Sequence, residues 1–182
     1  MRDRGALYVG VLLIALGILF MFTQVAGTLL SPWGLRFGWS QMWPFTILFV
    51  GFAFWLPIVL WWDRRQQVAG LAIPATIITA NGLLLLYQNL TGDWDSWAYM
   101  WTLEPISVGL GLLFLYFLSV RQPGLLTAAA IVCGIGLFFF AIFASIFGGV
   151  LRILGPAALI LIGILIMLNA VNRRAKGGMP QE

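Results

Sequence analysis

Six long apolar stretches, separated by short polar or aromatic breaks, account for most of the chain; they cover residues 6–26, 42–62, 68–88, 103–120, 125–147 and 153–171. The clearest unit is 68–120, where one apolar segment, a polar-aromatic loop and a second apolar segment follow in turn. An apolar segment of about 20 residues is near 30 Å long as a helix, the thickness of a bilayer's hydrocarbon core. Barrel strands would alternate apolar and polar over about 10 residues, whereas these runs are apolar on every side. An all-round apolar helix is solvated by lipid and satisfies its own backbone hydrogen bonds. The pattern therefore predicts an all-α, polytopic membrane protein with six transmembrane helices.

Composition agrees with the pattern. The 182 residues are 62% hydrophobic and only 9% charged, against about 25% charged in soluble domains. That is too little polar surface to cover a water-facing globule. The first apolar run exceeds the roughly 7–15 residues of a signal-peptide core, and Gln24-Val25-Ala26 is a poor cleavage site, so a retained first helix is expected.

The net charge of +4 would point to nucleic acid in a soluble chain. Here the basic residues sit at the ends of apolar segments, so no nucleic-acid partner is expected and the bilayer itself is the first partner. Arg2, Arg4, Arg64, Arg65, Arg121, Arg173, Arg174 and Lys176 fall on one side of the predicted bundle, and only Arg36 and Arg152 on the other. This asymmetry places both termini in the cytoplasm of a cell-membrane protein. Trp43, Trp94, Trp97 and Trp101 fall on the opposite, outer side, where amphipathic rings suit the headgroup zone. Trp94, Trp97 and Trp101 share one face of a short interfacial helix whose start Asp93 can cap.

The glycines carry a repeat. Gly5 and Gly17, Gly70 and Gly82, and Gly124 and Gly136 are each about 12 residues apart, and Pro44, Pro105 and Pro156 each open the following helix. Gly51, Gly111 and Gly163 follow those prolines. Three tandem helical hairpins, all inserted the same way, account for this: residues 1–66, 67–121 and 122–171, with a polar cytoplasmic tail at 172–182.

Gln41-Met42-Trp43-Pro44-Phe45-Thr46-Ile47-Leu48-Phe49-Val50-Gly51 resembles the Trp-Pro-(apolar)-Gly helix start of LiaI/LiaF-type transmembrane modules. Gly82-Leu83-Leu84-Leu85-Leu86-Tyr87-Gln88-Asn89-Leu90 is similar to that family's Gly-(apolar)-Asn-Leu helix end. Those modules are two-helix hairpins of bacterial envelope proteins, some attached to envelope-stress regulators. The resemblance implies three tandem hairpins with an envelope-associated role. Glu104-Pro105 and Gly155-Pro156 stand where the family has Trp-Pro.

Candidate chemistry is sparse. There is no histidine, and the lone Cys133 lies inside an apolar run. Glu104 is the one acid within a turn of a predicted span. Ionisable groups at membrane depth often mark cation or proton pathways. At the outer end of its helix, however, Glu104 serves equally as a charge beside the N-terminal dipole. Thr76, Thr79 and Asn81 give the third helix a polar streak that either lines a solute path or bonds neighbouring helices. Ala130, Gly134, Ala141 and Ser145 align on the fifth helix, with Ala129, Cys133 and Gly136 beside them, as the expected tightest packing seam. Two loop acids, Asp93 and Asp95, fall short of the about six oxygens of a hard-cation shell, so no metal or other cofactor is expected.

These residues predict a non-catalytic membrane protein with an interaction or organising role, alone, as a homo-oligomer or with other membrane proteins. A small transporter or channel is the alternative. The orientation is testable by cysteine labelling in a Cys133→Ala background: Asp93→Cys should label from outside intact cells and Gly177→Cys only after permeabilisation. External labelling of Gly177→Cys reverses the orientation.

Overall fold

A computed structural model describes residues 3–30, 39–119 and 121–148 and eight separate positions between 153 and 167. Most of the predicted sixth span, 153–171, and the tail therefore lie outside the described residues, as do Trp33 and Arg36.

Every regular element among the described residues is helical. In chain order they are α1 (Arg4–Leu30), α2 (Trp39–Met42), α3 (Pro44–Leu60), α4 (Arg65–Val68), α5 (Ala72–Thr91), α6 (Trp97–Met100), α7 (Leu103–Leu118) and α8 (Pro123–Phe147), with single 3₁₀ turns before α4, α5 and α6. Helices at Arg4–Ala26, Trp62–Thr91 and Pro123–Phe147 are long and apolar enough to cross a membrane. The segment Trp94–Met100 with α7 makes a fourth candidate, bent by 59° at residues 101–102. At 17 residues, α3 is a shorter apolar helix.

The ends of these helices follow local chemistry. Pro44 and Pro123 occupy first-turn positions where a missing N–H costs nothing. The carbonyl of Trp43 accepts from both Thr46 N, at 3.0 Å, and Thr46 Oγ1, at 2.6 Å. Gly92 ends α5 in the left-handed region, at φ 72°, and returns its N–H to the Gln88 carbonyl at 2.8 Å. Pro105 is not the first residue of its helix: α7 starts at Leu103 and takes the proline within its first turn.

The helices pack in chain order, α3 on α5, α5 on α7 and α7 on α8, while α1 touches α3 more sparsely. Each pairing is antiparallel, since contacts join rising numbers on one helix to falling numbers on the next. Thus α1, α5 and α8 run one way, and α3 and α7 the other.

Glycine sets the closest approaches. A Cβ on Gly82 of α5 would lie 2.7 Å from Leu48 Cδ2 and 3.2 Å from Leu48 N on α3. One on Gly51 of α3 would lie 2.6 Å from Thr79 Oγ1 and 3.2 Å from Thr79 N on α5. The α7–α8 seam repeats this register. Gly136 faces Ile106, with a Cβ 3.0 Å from its nitrogen, and Gly109 faces Ala129 and Cys133, 3.0 Å from Ala129 O and from Cys133 N. In both seams each glycine opposes the residue three places before the other helix's glycine. Between them, Gly111 of α7 meets Ile73 of α5, where a Cβ would be 2.9 Å from Ile73 Cα.

Two expectations are corrected here. Gly134 is exposed, and a Cβ there would meet nothing within 4 Å. The α8 contacts with α7 instead run through Ala129, Cys133 and Gly136, while of the expected line Ala141 is buried and Gly134 is not. The α7 residue in Gly51's place is Gly109, and Gly111 serves the opposite face, toward α5.

At the two ends the chain is tied differently. Arg4 forms an ion pair with Asp63, and Tyr8 donates its hydroxyl to the Ala53 carbonyl at 3.2 Å. The Arg4 hydrogen bond is the main cause that holds the Asp63 carboxyl below its ordinary range. At the far end, Asn89 Nδ2 donates to the Gln41 carbonyl at 2.8 Å, which fastens α2 to α5.

Bulk placed at a seam glycine must push backbones apart, which costs about 1–3 kcal/mol. Gly51→Val and Gly109→Val should therefore lower the thermal unfolding midpoint clearly, while Gly134→Ala, on the open face, should leave it unchanged or slightly raised. Circular dichroism melts in detergent measure the difference.

Candidate functional site

The polar residues of α5 gather the candidate chemistry. Thr76, Thr79, Asn81 and Gln88 lie on a helix built mostly of Ala, Ile and Leu, and an apolar surround makes each polar atom's partner matter. Thr76 is buried and folds its Oγ1 back onto the Ala72 carbonyl at 2.7 Å. Thr79 points toward α3, its Oγ1 buried against Gly51 without a hydrogen-bond partner among the described residues. Asn81 points toward α7, donating Nδ2 to the Ile77 carbonyl at 3.0 Å and to Glu104 Oε2 at 2.9 Å.

That last bond joins two of the residues singled out in the sequence, and it moves Glu104. Asn81 is the tenth residue of the 20-residue α5, so about 15 Å of helix continues past it toward Thr91. Glu104 is in the first turn of α7, as expected, but that turn does not lie at the end of the bundle. The first turn of α7 is set half-way along α5, beneath the bent segment that precedes it. Glu104 is half-buried there. Its carboxylate accepts the amide N–H of Asn81 there.

The segment 92–102 forms a cap over this region. Gln88, fully buried, donates Nε2 to Ser96 Oγ at 3.1 Å, and Ser96 donates Oγ to the Asp93 carbonyl at 2.6 Å. Gln88 Oε1 has no hydrogen-bond partner among the described residues. Thr102, also fully buried, closes on the Tyr99 carbonyl at 2.6 Å. Edge-to-face contacts at 6.0 Å from Tyr99 to Phe140 and at 5.3 Å from Trp101 to Phe143 fix the cap to α8. Trp94, Trp97 and Trp101 remain exposed, and Trp43 is half-buried at the start of α3. The expected cap by the Asp93 side chain is absent; its backbone carbonyl instead accepts from the Ser96 hydroxyl.

Thr76, Thr79 and Asn81 are thus not convergent. One bonds its own helix, one faces the α3 seam and one the α7 seam. Residues that sequence reasoning passed over are Gln88 and Ser96, eight apart, whose bond depends on the turn at Gly92, and Gly109, hidden by the Gly111 spacing. No group of three or more Cys, Asp or Glu side chains able to hold a metal occurs among the described residues. Comparison with protein-family models, curated proteins and solved structures gives no significant match.

A double-mutant cycle checks the α5–α7 bond. Asn81→Leu and Glu104→Leu should show a coupling of about 0.6 kcal/mol, and no more than about 1.7, in unfolding from detergent micelles. Strict additivity would mean that the two side chains do not interact.

Proposed function

We propose that this chain is a non-catalytic integral membrane protein that organises or binds other components of a bacterial cell envelope. Its proposed form is six spans in three hairpins inserted the same way, with both termini cytoplasmic. The likeness of its Trp43-Pro44 and Asn89-Leu90 helix ends to LiaI/LiaF-type modules suggests the envelope association, and that step is an analogy of helix ends only. Support for repeated hairpins comes from the matching glycine register of the α3–α5 and α7–α8 seams and from the common direction of α1, α5 and α8.

One observation carries the non-transport reading: the polar side chains of α5 diverge into separate helix seams instead of lining one path. A proton or cation route needs successive polar groups facing a shared space. Among the described residues the helices stack in chain order without surrounding a central lumen, and Glu104 spends an oxygen on Asn81. A transporter remains the second reading, favoured by the depth of Glu104 and by the unpaired Thr79 hydroxyl.

Flux into liposomes separates the two. Vesicles containing the protein should pass protons and alkali cations no faster than protein-free vesicles under an imposed gradient. A flux that appears with the protein and vanishes with Glu104→Gln overturns the organising role in favour of transport.

A further inference from the structure

At the end of the bundle opposite the cap, α1 and α3 fail to close on one another. Tyr8 stands between them, its ring 6.2 Å from Trp61 and its hydroxyl on the Ala53 carbonyl. The equivalent closing contact of α5 with α7 is made by Ile73 against Gly111, without an intervening aromatic. A cleft of about 780 Å³ results, lined by Asp3, Arg4, Leu7, Leu60, Asp63 and Arg64 among others. A second, of about 390 Å³, shares Trp61 and Arg64 with the first and adds Tyr8, Pro57 and Gln67.

The charges in this cleft are unequally employed. Asp63 is held by Arg4. Asp3 accepts from the Gly5 and Ala6 N–H groups, at 3.1 and 3.2 Å, and so caps α1. Arg65 lies over the Trp62 ring at 5.3 Å. The Arg64 guanidinium has no ion pair or side-chain hydrogen bond among the described residues. Both acids thus have hydrogen-bonded partners, and Arg64, which attracts Asp63 only through space, has no such partner among the described residues.

The position of this cation decides what would match it. It lies where apolar helices end, beside Trp61, Trp62 and Tyr8, the residue types that sit at headgroup level. A guanidinium fork pairs with phosphate oxygens in two directions at once, and basic clefts between membrane helices suit anionic headgroups. The wall of Leu7, Leu60 and Pro57 offers the adjoining hydrocarbon an apolar surface. We propose that the α1–α3 cleft binds one anionic phospholipid through its phosphate, with Arg64 as the anchoring cation.

The test is lipid retention by the intact protein, read by native mass spectrometry from detergent. Protein is incubated with phosphatidylglycerol, with phosphatidylcholine of the same acyl chains, or with inorganic phosphate. Phosphatidylglycerol should be retained as one molecule per chain, about fivefold more tightly than phosphatidylcholine. Arg64→Gln should remove that preference, whereas Arg65→Gln, whose side chain is spent on Trp62, should keep it. Both variants lie in an exposed connection, and an unchanged melting curve confirms folding. Equal retention of the two lipids, or a preference that survives Arg64→Gln, overturns the proposal. Displacement of phosphatidylglycerol by millimolar inorganic phosphate overturns its lipid part and leaves a free-anion site.

Discussion

Close backbone approach between antiparallel helices is the constraint from which the rest of this structure follows. In lipid the hydrophobic effect does little to press apolar helices together, so packing density and a few hydrogen bonds must do it. Packing is dense only where a side chain is missing. Gly51 and Gly82 admit Thr79 and Leu48, and Gly109 and Gly136 admit Cys133 and Ile106. Because each glycine meets the residue three before its opposite number, the two helices lock by one turn in both directions, and neither can slide without a clash. The row α3–α5–α7–α8 inherits its register from these contacts. The same logic explains why α1 is the loosest member: Tyr8 and Ala53 stand where Ile73 and Gly111 close the neighbouring pair.

Once the glycines have set the spacing, the polar groups have few places to go. Asn81 meets Glu104 because the seam of Ile73 and Gly111 brings α5 and α7 together one end down, leaving both side chains at the same level. Gln88 and Ser96 meet because Gly92 turns the chain back over the helix it has just left. Each bond is worth little singly, on the order of 0.6 kcal/mol in membrane proteins. Their value lies in position. An amide or carboxyl without a partner in hydrocarbon would cost several times that amount, so each bond penalises every alternative packing.

The helices were legible in the sequence because apolar runs of this length have one way to satisfy their backbone. The five long helices among the described residues begin and end within a few residues of five of the apolar segments, as at α3, Pro44–Leu60, against the expected 42–62. Depth and angular position were less legible. Glu104 stands at a helix start in the sequence, and a helix start reads as an interface. The 59° bend before α7 sets that start half-way along α5, and a bend of that size depends on Tyr99 and Trp101 packing against α8, far along the chain. Gly134 and Gly136 differ by about 200° around one helix, and spacing alone does not say which of them faces a neighbour. Trp94 and Trp97 are exposed, and exposure at a surface asks nothing of a distant partner, whereas Trp101 also packs on Phe143.

A row of helices differs from a ring in what it can offer. A ring encloses a space that can be lined with polar groups; a row has two broad faces and two ends. Among the described residues the faces carry Leu13, Ile14, Ile131 and Phe138, all exposed and all apolar, a surface that suits lipid. The end formed by α1 is different, because its joint with α3 is incomplete at both levels. Near the cap an apolar groove of about 350 Å³ runs between Ala15, Leu19 and Phe22 on one side and Phe45, Phe49 and Phe52 on the other. Toward the chain start the joint opens into the cleft that carries Arg64. Space in a membrane protein does not stay empty beside a fluid of hydrocarbon chains and charged headgroups. Among the described long helices α1 packs most sparsely on its neighbours, and so it is the one whose position a bound molecule can alter at least cost.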